Sequence, residues 1–556
     1  MEKINQKLER ILSKVQKPSR YTGGEYNQII KNKQDVNVRV ALCFPDTYEI
    51  GMSNLGLKIL YGVLNNIDDV WCERVFSPWT DMESELRDNN IPLYALESYD
   101  ELKCFDIIAF SIGYELSYTN VLNMLSLAGI AFHSKDRNEN DPIIIAGGTC
   151  CFNPEPMSGF FDLMVVGEGE EVIVELIDVY KKTKNKNSFL NSAINIKGVY
   201  VPEVHSKNEA TIEKRVIKNL DSSYFPLYPI VPSMDIVHDR VVLELFRGCK
   251  RGCKFCQAGY TGNPVRSRSP ETLAKQAKDA IENSGYDEIA LLSLSTSDYS
   301  QLDELCDNLL DWCEPKRVNL SLPSLRADNF SLSLMQRVQK VRKSGLTFAP
   351  EAGSQRLRDY INKNITEEDL LNACSVAFGG GWNSVKLYFM LGLPTETDED
   401  IIAIAELSHA VYQAWKDNTN NKKRGVRITV STSCFIPKPH TPFQRAGQIS
   451  IQEYNRRALL LKNSFRSKSI IYNWHSPEQG LIEAALSRGD KKLGDVIETA
   501  WRLGSRMDSW SEHFSIDNWL TAFNECSLSP DDYAVRERTE DEILPWDFIK
   551  VRGDCN

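Results

Sequence analysis

Short apolar runs bounded by glycine, proline or aspartate alternate with stretches of helical periodicity along most of the chain. VRVALCF (38–44) is the first such run, and SNLGLKILYGVLNN (53–66) follows it with apolar residues at helical spacing. PLYAL (92–96), FDIIAFSI (105–112), PIIIAGG (142–148) and DLMVVG (162–167) are further runs of the same kind. Runs of this length that are apolar throughout fit strands covered on both faces. Their alternation with helices predicts an α/β fold, with an N-terminal doubly wound, Rossmann-like domain over residues 36–185. Ahead of it, Ile4, Leu8, Ile11, Leu12 and Val15 fall at helical spacing, which predicts an arm (1–35) whose helix docks on the protein itself.

The pattern changes at residue 186. KGVYVPEV and ATIEKRVIKN predict a small β-rich connection over 186–235. A second alternating block starts at RVVLELFRG, with strands predicted at 240–247, 286–294, 317–322, 344–350, 384–391 and 426–435. One intervening helix has Ser269 as N-cap, Pro270 at its first position, Gly285 as its end, and Leu273, Ala277 and Ile281 on one face. Six parallel strands predict a partial (β/α)6 barrel over 236–450, whose chemistry gathers at the carboxyl ends of the strands. Beyond it the strand signal fades, and 451–556 reads as a helical C-terminal region with a core of Trp501, Trp510, Phe514, Trp519 and Phe523.

Charges interrupt every apolar stretch before membrane-spanning length, and the N-terminus has neither signal-peptide nor transit-peptide character. The expectation is a cytoplasmic protein with reduced thiols and no membrane partner. There, clustered cysteines point to metal or catalysis rather than disulfides. The net charge of −11 gives no support for a nucleic-acid partner.

That changes the reading of FRGCKRGCKFCQAGY, where Cys249, Cys253 and Cys256 follow the first barrel strand at C-x3-C-x2-C spacing. A closed zinc site takes four ligands, and no fourth Cys or His lies nearby. Three thiolates on a [4Fe–4S] cluster leave one iron free for a small chelating molecule. Lys250, Arg251 and Lys254 can offset the negative charge, and Gly248 and Gly252 let the loop wrap closely. Zinc or a purely structural cluster is the alternative.

This loop, with Phe255 before the third cysteine, resembles the signature of the radical S-adenosylmethionine superfamily. The resemblance implies cluster ligation by the three cysteines and S-adenosylmethionine on the open iron. It also implies reductive cleavage to a 5′-deoxyadenosyl radical that abstracts hydrogen from substrate, and an electron donor such as flavodoxin or ferredoxin. Cofactor contacts are then expected at the other strand ends. Ser295 and Ser297 lie in LLSLSTSDYS after the second strand, where the family's double glycine is missing. Ser321, Ser324 and Arg326 end the third, Glu351 and Ser354 the fourth, and Gly392 and Leu393 form an adenine-side turn after the fifth. Glu351 suits ribose hydroxyls, whereas Ser354 equally suits a helix cap. Lys438 and His440, in the proline-rich loop after the sixth strand, are the catalytic candidates.

A doubly wound domain before such a barrel resembles the cobalamin-binding subclass. FPDTYEIGMSNLGLKILY, AGGTCCFNPEP, VVGEGEE, FAPEAGSQRLRDYIN and SRGDKKLGDVIETAWRLGSRMDSW resemble a family of this kind with no assigned substrate. The resemblance implies cobalamin as a further cofactor, with Asp46, Gly51, Ser53, Gly147 and Gly148 as contacts, and Glu49, Met52, Gly167 and Glu168 beside them. The D-x-H-x-x-G motif is not met; Tyr48 stands at its histidine. Cobalt is therefore expected without a protein imidazole. The expected activity is radical modification of an unknown substrate, with methyl transfer if cobalamin binds. The alternatives are a methylthiotransferase acting on tRNA or protein and a noncatalytic iron–sulfur protein. Against the former, Cys43, Cys72, Cys104, Cys150 and Cys151 lack cluster spacing.

Overall fold

In the computed structural model the described residues are 4–183, 185–205, 211–322, 345–419, 423 and 425–551. The predicted runs become β1 (Val38–Phe44), β3 (Ile107–Ser111), β4 (Ile143–Gly147) and β5 (Leu163–Val165). With β2 (Val70–Phe76) and β6 (Val199–Tyr200) they form one sheet, ordered β2-β1-β3-β4-β5-β6. The first five are parallel and β6 runs antiparallel to β5. Strand order reverses between β1 and β3, which opens a ligand crevice beyond their carboxyl ends.

β2 escaped the apolar pattern because Glu73 and Arg74 interrupt it, yet both are fully buried. Arg74 is bound by Glu25 at 2.9 Å and Glu97 at 2.6 Å, and Glu73 by Arg39 at 2.5 Å. Each buried charge thus has a partner. PLYAL, by contrast, makes no strand, only an isolated bridge from Tyr94 to Glu101. It packs beneath the sheet edge as irregular chain with Leu93, Tyr94, Ala95 and Leu96 buried.

In the connection, β7 (Ile212–Glu213) pairs with a strand from the far end of the chain. The barrel opens with β8 (Val241–Glu244) and continues into β9 (Phe246–Arg247), which pairs antiparallel with β10 (Arg266–Ser267). This ribbon closes the base of the cysteine loop. β11 (Glu288–Leu292) pairs in parallel with β8 and with β12 (Asn319–Ser321). β13 (Leu346–Glu351), β14 (Ser384–Leu391), β15 (Arg427–Cys434) and β16 (Ile470–Trp474) form a second parallel run in that order. β16 is an addition to the six expected strands. It is an edge strand that buries only Ile470, so no apolar run announces it. The helix Pro270–Ser284 forms as its sequence predicts, with Ser269 accepting the Thr272 N–H and Gly285 left-handed at φ 74°.

The C-terminal helices do not build a separate core. Helix Leu493–Arg502 packs on Tyr118–Leu127, and Trp519 and Phe523 join the hydrophobic core of the first sheet, together with Leu8, Ile11 and Val15 of the arm. Trp501 and Phe514 lie half-buried against it. The last strand, β17 (Ile549–Lys550), is the partner of β7. Among the described residues no helix is long and apolar enough to cross a membrane.

Candidate active site

The cysteine loop leaves the barrel through Gly248, whose φ of 87° is left-handed. A β-carbon there would lie 2.8 Å from the Pro264 carbonyl and 2.9 Å from Asn263 Oδ1, so only glycine fits. The Cys249 N–H donates to Asn263 Oδ1 at 3.0 Å. At the loop's crest, Asn362 Nδ2 donates to the carbonyls of Arg251 (3.1 Å) and Gly252 (2.9 Å), and the Lys254 N–H donates to Ile361 O at 3.0 Å. Tyr260 donates to Gly252 O at 3.2 Å. The backbone is held from three sides while the thiols stay out of disulfides, Cys253 buried and Cys249 and Cys256 half-exposed.

Among the described residues no three His, Cys, Asp or Glu side chains converge tightly enough for a single metal ion. Thiolates that each take a different iron of a cluster need no such convergence. The donor set, three thiols on one loop, therefore fits a cluster that keeps one iron for a small molecule better than a four-ligand zinc site.

Of the three cations expected to offset its charge, Lys250 is exposed. Arg251 pairs with Asp298 at 2.8 Å, and Lys254 sits 4.7 Å over the Tyr360 ring. A fourth, Lys363, was not anticipated. Its ammonium pairs with Glu351 at 3.1 Å and lies 5.9 Å over Phe255. Burial pushes the Cys256 thiol up; the Gly259 N–H and Lys363 oppose this, while Cys249 and Glu351 add to it. Glu351 and the cysteine loop thus share one electrostatic environment. Glu351 itself is left-handed at φ 70°, at the break in the β13–β14 register.

Beyond the end of β11, Ser295 is buried and its Oγ has no hydrogen-bond partner among the described residues. Such an orphan at a strand end suits a ligand that supplies the missing partner. Ser297 is half-buried nearby, and Ser321 closes β12 opposite Ala290. Ser324 and Arg326 lie outside the described residues. Ser354 caps the helix Gln355–Tyr360, accepting the Leu357 N–H, and also hydrogen-bonds Asp400. Leu393 is buried, and the Gly392 N–H donates to Glu396 at 2.7 Å, which Arg457 also binds at 2.6 Å. Glu396 was invisible to pattern reading because it lies in a helix-start cluster of acids, TETDED. Burial pushes its carboxyl up to about 7.

Lys438 and His440 are both already engaged. Burial lowers the Lys438 ammonium, but Glu115 at 2.7 Å and Glu483 at 3.0 Å overcome this and raise it, so it stays charged. Tyr114 donates to the same Glu483 at 2.9 Å. His440 Nε2 donates to the Phe152 carbonyl at 2.8 Å, and burial drives its pKa down to about 4. A neutral imidazole tied to this carbonyl links the barrel to the first domain.

Beyond the carboxyl ends of β1, β3 and β4 lies a mainly apolar cavity of about 440 Å³. Gly147, Gly148, Gly167 and Glu168 line it. A β-carbon on Gly147 would meet no atom within 4 Å, so that residue leaves space, whereas Gly148 is needed for its φ of 110° beside the Ile112 carbonyl. Asn54 and Gly56 at one helix start, Ser111 at the end of β3, and Glu244, Arg247 and Leu292 from the barrel complete the wall.

The structure puts Asp46, Gly51 and Ser53 outside this wall. Asp46 accepts from Trp510 at 3.0 Å and Ser509 at 3.2 Å, Gly51 is packed under the Phe76 ring, and Ser53 accepts the His238 N–H at 3.0 Å. Glu49 is bound by Arg20, Met52 is buried beside Arg74, and Tyr48 donates to Glu25 at 2.9 Å.

A parallel partial barrel whose first strand delivers three thiols and no fourth ligand, set against a flavodoxin-ordered sheet, defines a cluster-dependent enzyme with a second cofactor crevice. Comparison with known proteins gives the family. Residues 56–202 match the model for radical SAM proteins, N-terminal, and residues 243–408 that for the radical SAM superfamily. The uncharacterized protein MJ0966 of Methanocaldococcus jannaschii is 30% identical over 495 residues, spanning 87% of this chain and 96% of that one. The chain belongs to the radical SAM superfamily, in one family with that protein, and its family cofactors are a [4Fe–4S] cluster and S-adenosylmethionine. Among solved structures, the radical S-adenosylmethionine methyltransferase TsrM from Kitasatospora setae, with cobalamin and a [4Fe–4S] cluster bound, aligns at TM-score 0.51. It is 12% identical, over 73% of this chain and 77% of that one. OxsB, a cobalamin-dependent S-adenosylmethionine radical enzyme with aqua-cobalamin and S-adenosylmethionine bound, aligns at 0.50. It is 15% identical, over 87% of this chain and 72% of that one. At these identities both show the shared fold.

Proposed function

We propose that this enzyme methylates an unactivated carbon of its substrate, with the cluster on Cys249, Cys253 and Cys256 and a corrinoid in the crevice of the first domain. The observation that carries the reading is the junction of the two sites. Arg247 lines the crevice and stands two residues before Cys249. Bound there, the cofactors supply the electron, the radical and the methyl group. The chain's residues bind, orient and shield them. Glu351 accepts from ribose hydroxyls, the Ser295 hydroxyl meets the amino acid end, and the Gly392–Leu393 turn, held by Glu396, faces adenine. Gly147, with Asn54 and Gly56, makes room for the corrinoid. Electrons come from a small cytoplasmic carrier such as flavodoxin or ferredoxin.

A methylthiotransferase reading has less support. Among the described N-terminal cysteines, Cys43 and Cys72 are buried in two paired strands, Cys150 and Cys151 are buried side by side in one turn, and only Cys104 is exposed. The chain after β16 is helical up to β17.

Glu351 is expected to serve S-adenosylmethionine and not cluster assembly. Charge-assisted hydrogen bonds of this type contribute roughly 1.5–3 kcal/mol. Glu351→Ala should keep wild-type iron and bind S-adenosylmethionine about tenfold or more weakly in equilibrium titration. Unchanged affinity removes the role.

The corrinoid is tested by anaerobic loading, desalting and electron paramagnetic resonance of cob(II)alamin. Tyr48, at the motif's histidine position, is committed to Glu25. The spectrum should therefore show retained cobalamin without hyperfine splitting from an axial nitrogen. Splitting would overturn the base-off, His-off state, and loss of cobalamin on desalting would remove the methyl-transfer reading while leaving the radical enzyme.

A further inference from the structure

We propose that Lys214 and Asn263 form a relay that sets the position of Cys249, making Lys214 a positioning residue of the cluster site although it lies outside the barrel. The inference rests on the reading of Cys249 as a cluster ligand.

Lys214 directly follows β7 and is buried. Its backbone is fixed from two directions. Its N–H donates to Lys550 O of β17 at 3.1 Å, and that of the next residue, Arg215, donates to Val166 O of the first domain at 2.9 Å. The side chain runs the other way, to the turn behind the cysteine loop. There the ammonium donates to Thr261 O at 2.8 Å and also to Asn263 O.

Burying an ammonium on neutral carbonyls is costly, and it persists where the carbonyls must be held. What this turn carries is Asn263. Its Oδ1 accepts the Cys249 N–H at 3.0 Å and its Nδ2 donates to Gly259 O at 2.7 Å. The side chain therefore spans the loop from the residue bearing the first thiol to the helix that follows the third. Gly248 admits the close approach, since any β-carbon there would strike Asn263 Oδ1. The other crest contacts, from Asn362, reach Arg251 and Gly252. Among the described contacts, the amide of Cys249 is thus placed by the relay, and the central part of the loop by a different element.

The test uses the full chain with Lys214→Met, Asn263→Ala and the double substitution. In the apoprotein, iodoacetamide labelling of each thiol is followed by mass spectrometry, and the rate at Cys249 is divided by that at Cys256 in the same molecule. Each single variant should raise this ratio about fivefold, the effect of losing one ordinary hydrogen bond. The double variant should raise it no further than the larger single effect, as residues in one path do. After anaerobic reconstitution, the single variants should hold less iron and sulfide per chain than the wild type, because the iron of Cys249 loses its ligand.

An unchanged labelling ratio, or a double effect equal to the product of the single ones, overturns the relay. If Lys214→Met does not fold, all its thiols label alike, and Asn263→Ala, which removes only an amide, decides by the same ratio. A changed labelling ratio in the variants, together with a wild type that assembles no cluster, would leave the relay standing and refute the ligand reading instead.

Discussion

Cys253→Ala is expected to lose most of its four-iron content and all cleavage of S-adenosylmethionine. Cys253 is the most deeply buried thiol of the loop, and the Cys256 N–H donates to its carbonyl at 3.1 Å. Its side chain is held inside a backbone already fixed by Asn362, Ile361 and Asn263. No neighbouring Cys or His in the sequence can move in to replace it. Alanine removes one of three thiolates, so one further iron has no protein ligand and is lost on desalting. The loop's own hydrogen bonds use main-chain atoms and survive, so the variant should fold normally. Iron and sulfide assays on anaerobically reconstituted protein measure the effect directly, and wild-type content would refute the assignment.

Arg74→Met is expected to produce the largest loss of stability. Arg74 holds Glu25 and Glu97 inside the first domain, and all three side chains are almost completely removed from water. Met52 Sδ and the Tyr61 ring complete the enclosure. Methionine fills much of the volume and leaves two carboxylates without their cation. Breaking a buried pair in this way costs about 3–5 kcal/mol.

The pH dependence follows from the two partners. Burial pushes Glu97 up to about 7 even beside Arg74. Its folded value lies above the unfolded one of about 4.3, so its favourable proton binding is lost as pH rises from there to about 7. Burial acts on Glu25 as well, but Arg74 outweighs it and holds that carboxyl below its usual range. Glu25 therefore stabilises the fold above its unfolded pKa, and that contribution fades as pH falls. Without Arg74 both groups are raised, and the stability of the variant should be greatest near about pH 5 and fall steeply towards about pH 8. Melting temperatures at the two pH values check this; equal melting of wild type and variant would contradict it.

Much of the architecture was legible because it depends on the period and length of apolar runs. β3, β4 and β5 are apolar on both faces and β1 is so apart from Arg39, and the barrel strands are separated by helices with readable caps such as Ser269. What stayed hidden obeys other rules. β2 carries an arginine and a glutamate whose partners, Glu25, Glu97 and Arg39, are distant in sequence or on another strand, and no local window shows that they neutralise one another. PLYAL is as apolar as a strand but lies beside the sheet edge. The aromatic C-terminal helices look self-sufficient, yet Trp519 buries in the N-terminal core, and Trp510 is spent on Asp46.

The site divides in the same way. Its cysteines are declared by spacing, because three covalent ligands on one loop need fixed intervals. A glycine at a strand end, such as Gly148, is declared by backbone need. Long-range partners are not: Lys363 beside the cysteine loop, Glu396 beneath the Gly392 turn, and Arg247 shared between crevice and loop acquire their roles only when strands align. His440 shows what local reading leaves out. A lone histidine in a rigid loop at the barrel mouth looks catalytic, and its burial and its bond to the Phe152 carbonyl, which keep it neutral, appear only in the fold.

The three-thiol loop is expected to drive reductive cleavage of S-adenosylmethionine. The most direct measurement is the nucleoside product formed by anaerobically reconstituted, reduced enzyme, followed by mass spectrometry beside Cys253→Ala. The wild type should release 5′-deoxyadenosine and the variant none. Release of equal amounts by both, or by neither when the wild type holds a full cluster, would contradict the account.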